Sequence, residues 1–262
     1  MLLKNKVIIV SGIGPGLGVK LAIEAAREGA KVAISARTAA NLDDAEQRMR
    51  AIAPDCEVLK QTNDITDREQ CKRLVEATVA RFGRIDGLIN SAVFHGNFEG
   101  VENADLEDWR RVFDTNVIGT MNLTQETIQA MKKSGGGAIA MVNTMATRKP
   151  FPSEAGYAAS KGALTVAAKY LAKEVGRYNI RVNSVYPGWM WGLPVQGYAK
   201  NAAAANNITE EQAMAPIVAN IPLGRIVTDD EVARVALFLV SDYSTAMTGA
   251  ILDANGGEFI AV

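Results

Sequence analysis

One histidine, His95, and two cysteines, Cys56 and Cys71, are all the chain holds of the side chains that most often bind transition metals. A single histidine argues against a histidine-ligated metal centre, and against Ser-His-Asp chemistry unless that residue is itself the base. Two cysteines make neither a disulfide framework nor a thiolate cluster. Charge of one sign is also missing. The 28 basic and 29 acidic residues leave a net charge of −1, with no basic excess for nucleic acid or an anionic membrane. No apolar run approaches the roughly 18 residues a membrane span needs. The opening Met1-Leu2-Leu3-Lys4-Asn5-Lys6 lacks the features of a secretory leader, so a cytoplasmic protein is the expectation. No linker, repeat or low-complexity stretch divides the chain, and residues 1–262 read as one domain.

What is present is an ordinary globular composition, 48% hydrophobic and 22% charged. Val7-Ile8-Ile9-Val10 is β-branched and apolar on both faces, as a central parallel strand requires. It runs into Ser11-Gly12-Ile13-Gly14-Pro15-Gly16-Leu17-Gly18, and a helical pattern follows from Lys20. Strand, glycine-rich turn and helix together form a dinucleotide-binding context, in which backbone N–H groups at the helix start meet a pyrophosphate. The second strand, Lys31 to Ala36, ends in Arg37-Thr38 with no acid at its tip. A carboxylate there would suit the ribose of NAD, whereas an arginine fork suits the 2′-phosphate of NADP. NADP is therefore favoured, with NAD possible.

Strand and helix patterns continue to alternate. Strands are expected at Glu57–Gln61, Ile85–Asn90, Ala138–Asn143, Ile180–Tyr186 and Thr248–Asp253. Helices fall between them, the longest over 106–132; Thr66-Asp67-Arg68-Glu69 reads as a capping box, and Thr209-Glu210-Glu211-Gln212 and Thr228-Asp229-Asp230-Glu231 read as caps of a short helix and of the last helix. The alternation predicts a doubly wound, seven-stranded parallel sheet with helices on both faces. Ligands bind such sheets beyond the carboxyl ends of the strands. Residues 189–222 break the pattern with an irregular, aromatic opening, Trp189-Met190-Trp191-Gly192-Leu193-Pro194. That insertion is expected to be a substrate lid.

Tyr157 and Lys161 stand four residues apart on one helical face. Bringing a phenol from about 10 to neutrality takes roughly 4 kcal/mol. A solvated ion pair contributes only ~0–1 kcal/mol. Lys161 therefore needs a desolvated site and a second positive charge, such as an oxidised nicotinamide.

Taken in order, these pieces resemble the short-chain dehydrogenase/reductases over essentially the whole chain, which implies a Rossmann-type fold. The turn Ser11, Gly12, Gly14, Gly16, Leu17 and Gly18 is similar to that family's cofactor loop. Asp64, with Ile65, matches the acid that meets adenine. Asn90-Ser91-Ala92-Val93 resembles its Asn-Asn-Ala-Gly segment, with valine in place of glycine. Asn116, Tyr157 and Lys161 match active-site positions, and Pro187-Gly188 matches the turn beside the nicotinamide. The family serine, thirteen residues before the tyrosine, is Thr144 here. A threonine that helps hold the carboxamide is replaced by Gly192.

The resemblance implies hydride transfer between nicotinamide and a carbinol carbon. Tyr157 would exchange the proton, Lys161 would assist it and bind the nicotinamide ribose, Thr144 would polarise the oxygen, and Asn116 would hold a water. His95, Trp189, Met190, Trp191 and Tyr198 are expected to line an apolar substrate pocket, so a hydrophobic or aromatic secondary alcohol or ketone is favoured over a sugar or polyol. No metal site is expected. A non-catalytic dinucleotide-binding regulator, and an epimerase or dehydratase, are the competing functions. The helix after Tyr157 carries Leu164, Ala168 and Leu171, and with the apolar tail from Ile251 it leads to the expectation of a homo-oligomer, tetramer over dimer.

Overall fold

The computed structural model describes residues 1–261. Seven strands form one parallel sheet: β1 Val7–Ser11, β2 Lys31–Ala36, β3 Val58–Thr62, β4 Gly87–Asn90, β5 Gly137–Val142, β6 Ile180–Pro187 and β7 Ile251–Ala254. Their spatial order is β3-β2-β1-β4-β5-β6-β7. The winding reverses between β1 and β4, so a crevice opens there at the strands' carboxyl ends.

Among the described residues nine α-helices join them: α1 Leu17–Arg27, α2 Ala39–Ile52, α3 Arg68–Phe82, α4 Leu106–Phe113, α5 Thr120–Lys133, α6 Ala155–Val175, α7 Leu193–Asn206, α8 Glu210–Val218 and α9 Asp229–Val240. Alternate strand residues serve opposite faces. Ile8, Val10, Val32 and Ile34 pack beneath α1, α2 and α9, while Ile9, Leu88, Ile139 and Met141 pack beneath α3, α5 and α6. Burial of both faces explains the nearly unbroken apolar runs of β1, β2 and β5, whereas the edge strands β3 and β7 are only partly buried.

Three expectations change here. The helix expected over 106–132 is interrupted by a π-helical segment, Asp114–Gly119, with Asn116 inside it. The Thr66 capping box does not form, because Asp67 caps α3 by accepting from the Gln70 N–H. A carboxylate at a helix N-terminus gains from the helix dipole, and here it takes the position one residue on. The irregular opening of residues 189–222 is shorter than expected, because α7 begins at Leu193 and takes in Pro194. Pro194 sits in the first turn of α7, where proline is tolerated, and the Ala202–Ala205 run is strongly helix-forming. Thr209 and Thr228 do make capping boxes, on α8 and α9.

A small satellite core, Ala199, Met214, Ile221 and Ile226, holds this segment together and is separate from the two sheet cores. The apolar residues first read as an assembly face on α6 turn inward: Leu164 and Ala168 are buried and Leu171 packs against the core. The exposed apolar residues of that helix are Val166 and Tyr170. Val262, at the end of the apolar tail, lies outside the described residues.

Candidate active site

A cavity of about 530 Å³ opens at the carboxyl ends of the strands. The glycine-rich turn forms one end. Gly12 has a φ of +96°, and a Cβ there would lie 2.2 Å from the Ala92 nitrogen, so glycine lets β1 and the Ser91-Ala92 loop close up. Gly18 is bound as tightly, since its Cβ would meet the Gly12 carbonyl oxygen at 2.0 Å. Gly14 and Gly16 differ: a Cβ on either would meet no atom within 4 Å, because both face the open cavity ahead of α1. Ser11, Leu17, Arg37, Thr38, Asp64, Ile65 and Ala92 line the same space. Arg37 is exposed, while Asp64 accepts from the Thr66 backbone and hydroxyl at 3.0 and 2.8 Å. Three buried polar side chains of the lining, Ser35, Asn63 and Asn143, have no hydrogen-bond partner in the protein. An open glycine cradle, unpartnered polar groups and an exposed guanidinium together fit an elongated polar anion such as a dinucleotide.

At the other end stand Thr144, Tyr157 and Lys161, with Pro187 and Gly188 beside them. Thr144 leaves β5 and caps a short 3₁₀ turn, its Oγ1 accepting from the Ala146 N–H at 3.2 Å. Its hydroxyl also reaches the Tyr157 phenol. Lys161 is almost fully buried and donates from Nζ to the Val142 carbonyl at 2.9 Å. Burial brings its ammonium down to about 8. Burial also pushes the Tyr157 phenol up to about 12, against a lowering by the Thr144 hydroxyl and with a further rise from the Glu154 charge. The depressed phenol expected from the Tyr-Lys pair is thus not a property of the protein alone. Desolvation wins, and the lysine bonds a carbonyl rather than the phenol.

Two asparagines lie beneath the cavity rather than in its wall. Asn90 donates to the Thr124 hydroxyl at 3.0 Å and to the Met141 sulfur at 3.3 Å. Asn116 is fully buried; its Oδ1 accepts from the Phe94 N–H at 2.8 Å and its Nδ2 donates to the Phe94 carbonyl and the Ser160 hydroxyl. Its amide braces the loop after β4 against α6, leaving no side-chain donor for a water relay.

On the substrate side His95, Trp189 and Met190 line the cavity, and Trp191 and Tyr198 do not. Tyr198 stands behind Trp189, ring centroids 5.6 Å apart, and Trp191 points outward. The His95 ring packs on Tyr157 at 4.6 Å, and its pKa is lowered by loss of solvent on that face and then by Lys161. It remains exposed at its outer edge.

Phe151, Glu154 and Asp229 also line the cavity, and sequence reasoning missed all three. Nothing in their spacing marks them. Asp229 occupies the space beside Gly192, where a Cβ would lie 2.1 Å from its Oδ2. The glycine at 192 is therefore paired with a carboxyl that a threonine there would displace.

The comparisons with known proteins agree with this geometry. The family model described as enoyl-(acyl carrier protein) reductase matches residues 12–258. A short-chain type dehydrogenase/reductase of Sinorhizobium fredii, itself uncharacterised, is 33% identical, with 99% of this chain and 100% of the relative covered. The chain belongs to the short-chain dehydrogenase/reductase family. A 3alpha-hydroxysteroid dehydrogenase of Mediterraneibacter gnavus is 32% identical over 98% of each chain. The L-sorbose reductase of Gluconobacter frateurii, solved with NADPH and L-sorbose, superimposes with a TM-score of 0.93 at 27% identity over 100% of both chains. As a short-chain dehydrogenase/reductase, the chain is an NAD(P)-dependent oxidoreductase acting on an alcohol or ketone.

Proposed function

We propose that this short-chain dehydrogenase/reductase interconverts a hydrophobic or aromatic secondary alcohol and its ketone, with NADP preferred. The observation that carries the reading is the convergence of Thr144, Tyr157 and Lys161 on one end of a cavity whose other end is the glycine cradle. The bound nicotinamide supplies or accepts the hydride. Tyr157 gives its phenolic proton to the substrate oxygen in reduction and takes it back in oxidation. Thr144 donates to that oxygen as charge develops on it. Lys161 would hold the nicotinamide ribose, and its charge favours the phenolate when the tyrosine must accept a proton. A phenol held at about 12 starts protonated at neutral pH, which is the state reduction requires.

Residues 189–222 would act as a lid over the substrate end, with Trp189 and Phe151, an edge-on pair at 6.2 Å, as its apolar wall. The absence of any helix long and apolar enough to span a membrane, among the described residues, supports a cytoplasmic assignment. Exposed Val166 and Tyr170 on α6 support assembly as a closed homo-oligomer, tetramer over dimer. Light scattering would refute assembly with a single species near 28.0 kDa.

A panel of ketones assayed by cofactor absorbance tests the central reading. Net oxidation of NADPH with an aryl ketone supports it. Turnover with no net absorbance change would identify an epimerase or dehydratase instead, and turnover of sugars but not aryl ketones would sink the apolar substrate class.

Arg37→Asp is expected to shift the kcat/KM ratio from NADP towards NAD. A charge-assisted phosphate contact contributes about 1.5–3 kcal/mol, so NADP should lose roughly 10–150-fold. A wild-type enzyme that already prefers NAD would show Arg37 to be a solvated bystander. Thr144→Ala should lower kcat about 10–1000-fold, with Thr144→Ser tolerated. Unchanged steady-state kinetics in the alanine variant would move the polarising role to another group.

A further inference from the structure

Glu154 sits immediately ahead of α6, in the position where a side chain ordinarily caps a helix. It does not do so: its carboxyl makes no capping hydrogen bond and lines the cavity instead. No protein cation or donor offsets its burial, which alone pushes its carboxyl above the usual range. The residue before it, Ser153, has a φ of +69°. The other non-glycine residues with positive φ are Asn5, Asn179 and Asn207, a residue type that tolerates this region. A left-handed serine at the rim of a ligand cavity is the kind of local strain that persists where it aims a functional group.

Glu154 lies one helical turn before Tyr157, so both side chains project from the same end of α6. The two are close enough for the Glu154 charge to act on the phenol. Phe151 and Trp189, an edge-on ring pair, line the same cavity, and the His95 ring packs on Tyr157. Glu154 is half-buried at this wall and makes no hydrogen bond within the protein, so its carboxylate is free to accept from a donor on a ligand in the cavity.

We propose that Glu154 is a specificity residue whose carboxyl accepts a hydrogen bond from a hydroxyl on the substrate carbon next to the reacting one. The substrate class is then an α-hydroxy ketone, or the matching vicinal diol, with an apolar remainder. This rests on the proposed oxidoreductase reading and narrows it. The reacting oxygen meets Tyr157 and Thr144, the neighbouring hydroxyl meets Glu154, and the apolar remainder meets Phe151 and Trp189.

Three matched ketones test the assignment: 1-phenyl-1-propanone, its 2-hydroxy derivative and its 2-amino derivative. Wild type should prefer the hydroxy ketone over the plain ketone by about 10–100-fold in kcat/KM, the range for a hydrogen bond to a charged group. Glu154→Leu should bring that ratio to within about threefold of one, with Glu154→Gln between the two. A ratio unchanged in both variants, or no preference in wild type, overturns the proposal. A wild-type preference for the amino ketone that Glu154→Leu removes overturns the hydroxyl assignment in favour of a cationic donor. Thermal shifts with 1-phenyl-1,2-propanediol and 1-phenyl-1-propanol, in the presence of saturating NADPH, read the same contact without turnover, because reduced cofactor and alcohol form a dead-end complex. Greater stabilisation of wild type by the diol, lost in Glu154→Leu and reduced in Glu154→Gln, supports the contact even if no ketone is reduced. That combination would sink the redox reading alone.

Discussion

Tyr157→Phe should lose about 10²–10⁴-fold in kcat while binding NADPH nearly as tightly as wild type. The substitution removes one hydroxyl and keeps the ring that packs on His95, so the cavity's shape is retained. What disappears is the proton at the substrate oxygen, and a positioned general acid contributes a factor in that range. Fluorescence titration of NADPH and steady-state reduction of the best ketone, run on the same preparation, separate the two effects. Activity within tenfold of wild type would remove Tyr157 from the proton-transfer role and leave His95, its ring neighbour, as the next group to test.

Lys161→Met should reduce both kcat and cofactor affinity, by about tenfold or more each, yet give a more stable protein at neutral pH. The stability half follows from burial. The ammonium falls from 10.5 to about 8 on folding, so the native state binds protons less readily than the unfolded chain between those values. The unfolded state therefore carries the extra proton in that window, and stability rises with pH from about 8 to 10.5. Below the window the full penalty of burying the charge applies, on the order of 3 kcal/mol before the Val142 hydrogen bond offsets part of it. Methionine carries no such penalty. The variant's advantage in Tm should be largest near pH 7 and shrink as pH rises through 8 towards 10. Taking the difference between variant and wild type cancels the opposite trend from Cys71, a buried thiol held up at about 11 in both. A Tm difference that is flat across this range would mean the lysine is solvated. Weakened turnover with unchanged cofactor affinity would remove its contact with the ribose.

The sheet was legible because its strands are buried on both faces. Val7–Val10 and Val32–Ala36 are apolar throughout or nearly so, and a central parallel strand buries such runs. The caps at Thr209 and Thr228 were legible because a hydroxyl and an acid or amide three residues on satisfy each other's backbone groups. Thr66 carries the same pattern, but Asp67 competes one residue later, and a local pattern does not decide between two neighbouring acceptors.

In the site, positions on the glycine-rich turn and on α6 were readable from spacing. Side-chain direction was not. Trp191 and Tyr198 belong to the right segment and face away from the cavity, while Phe151, Glu154 and Asp229 enter it from elements whose sequence carries no ligand signature. Asn116 was found as a position, but its amide is engaged in bracing Phe94 and Ser160. Nor did spacing show where the Lys161 charge would go. Tyr157 and Lys161 share a helical face as expected, and the nearer acceptor on β5, the Val142 carbonyl, took the ammonium.

The satellite core of residues 189–222 has an evolutionary consequence. Ala199, Met214, Ile221 and Ile226 are buried chiefly against one another and against Trp189, Val195, Ile217 and Val218, not against the sheet. Mutations that reshape this wall draw on a separate packing reserve, and leave the two cores that set the global melting transition undisturbed. On the proposed reading of residues 189–222 as a substrate lid, a lineage of such enzymes is expected to drift in what it accepts with little change in the two sheet cores.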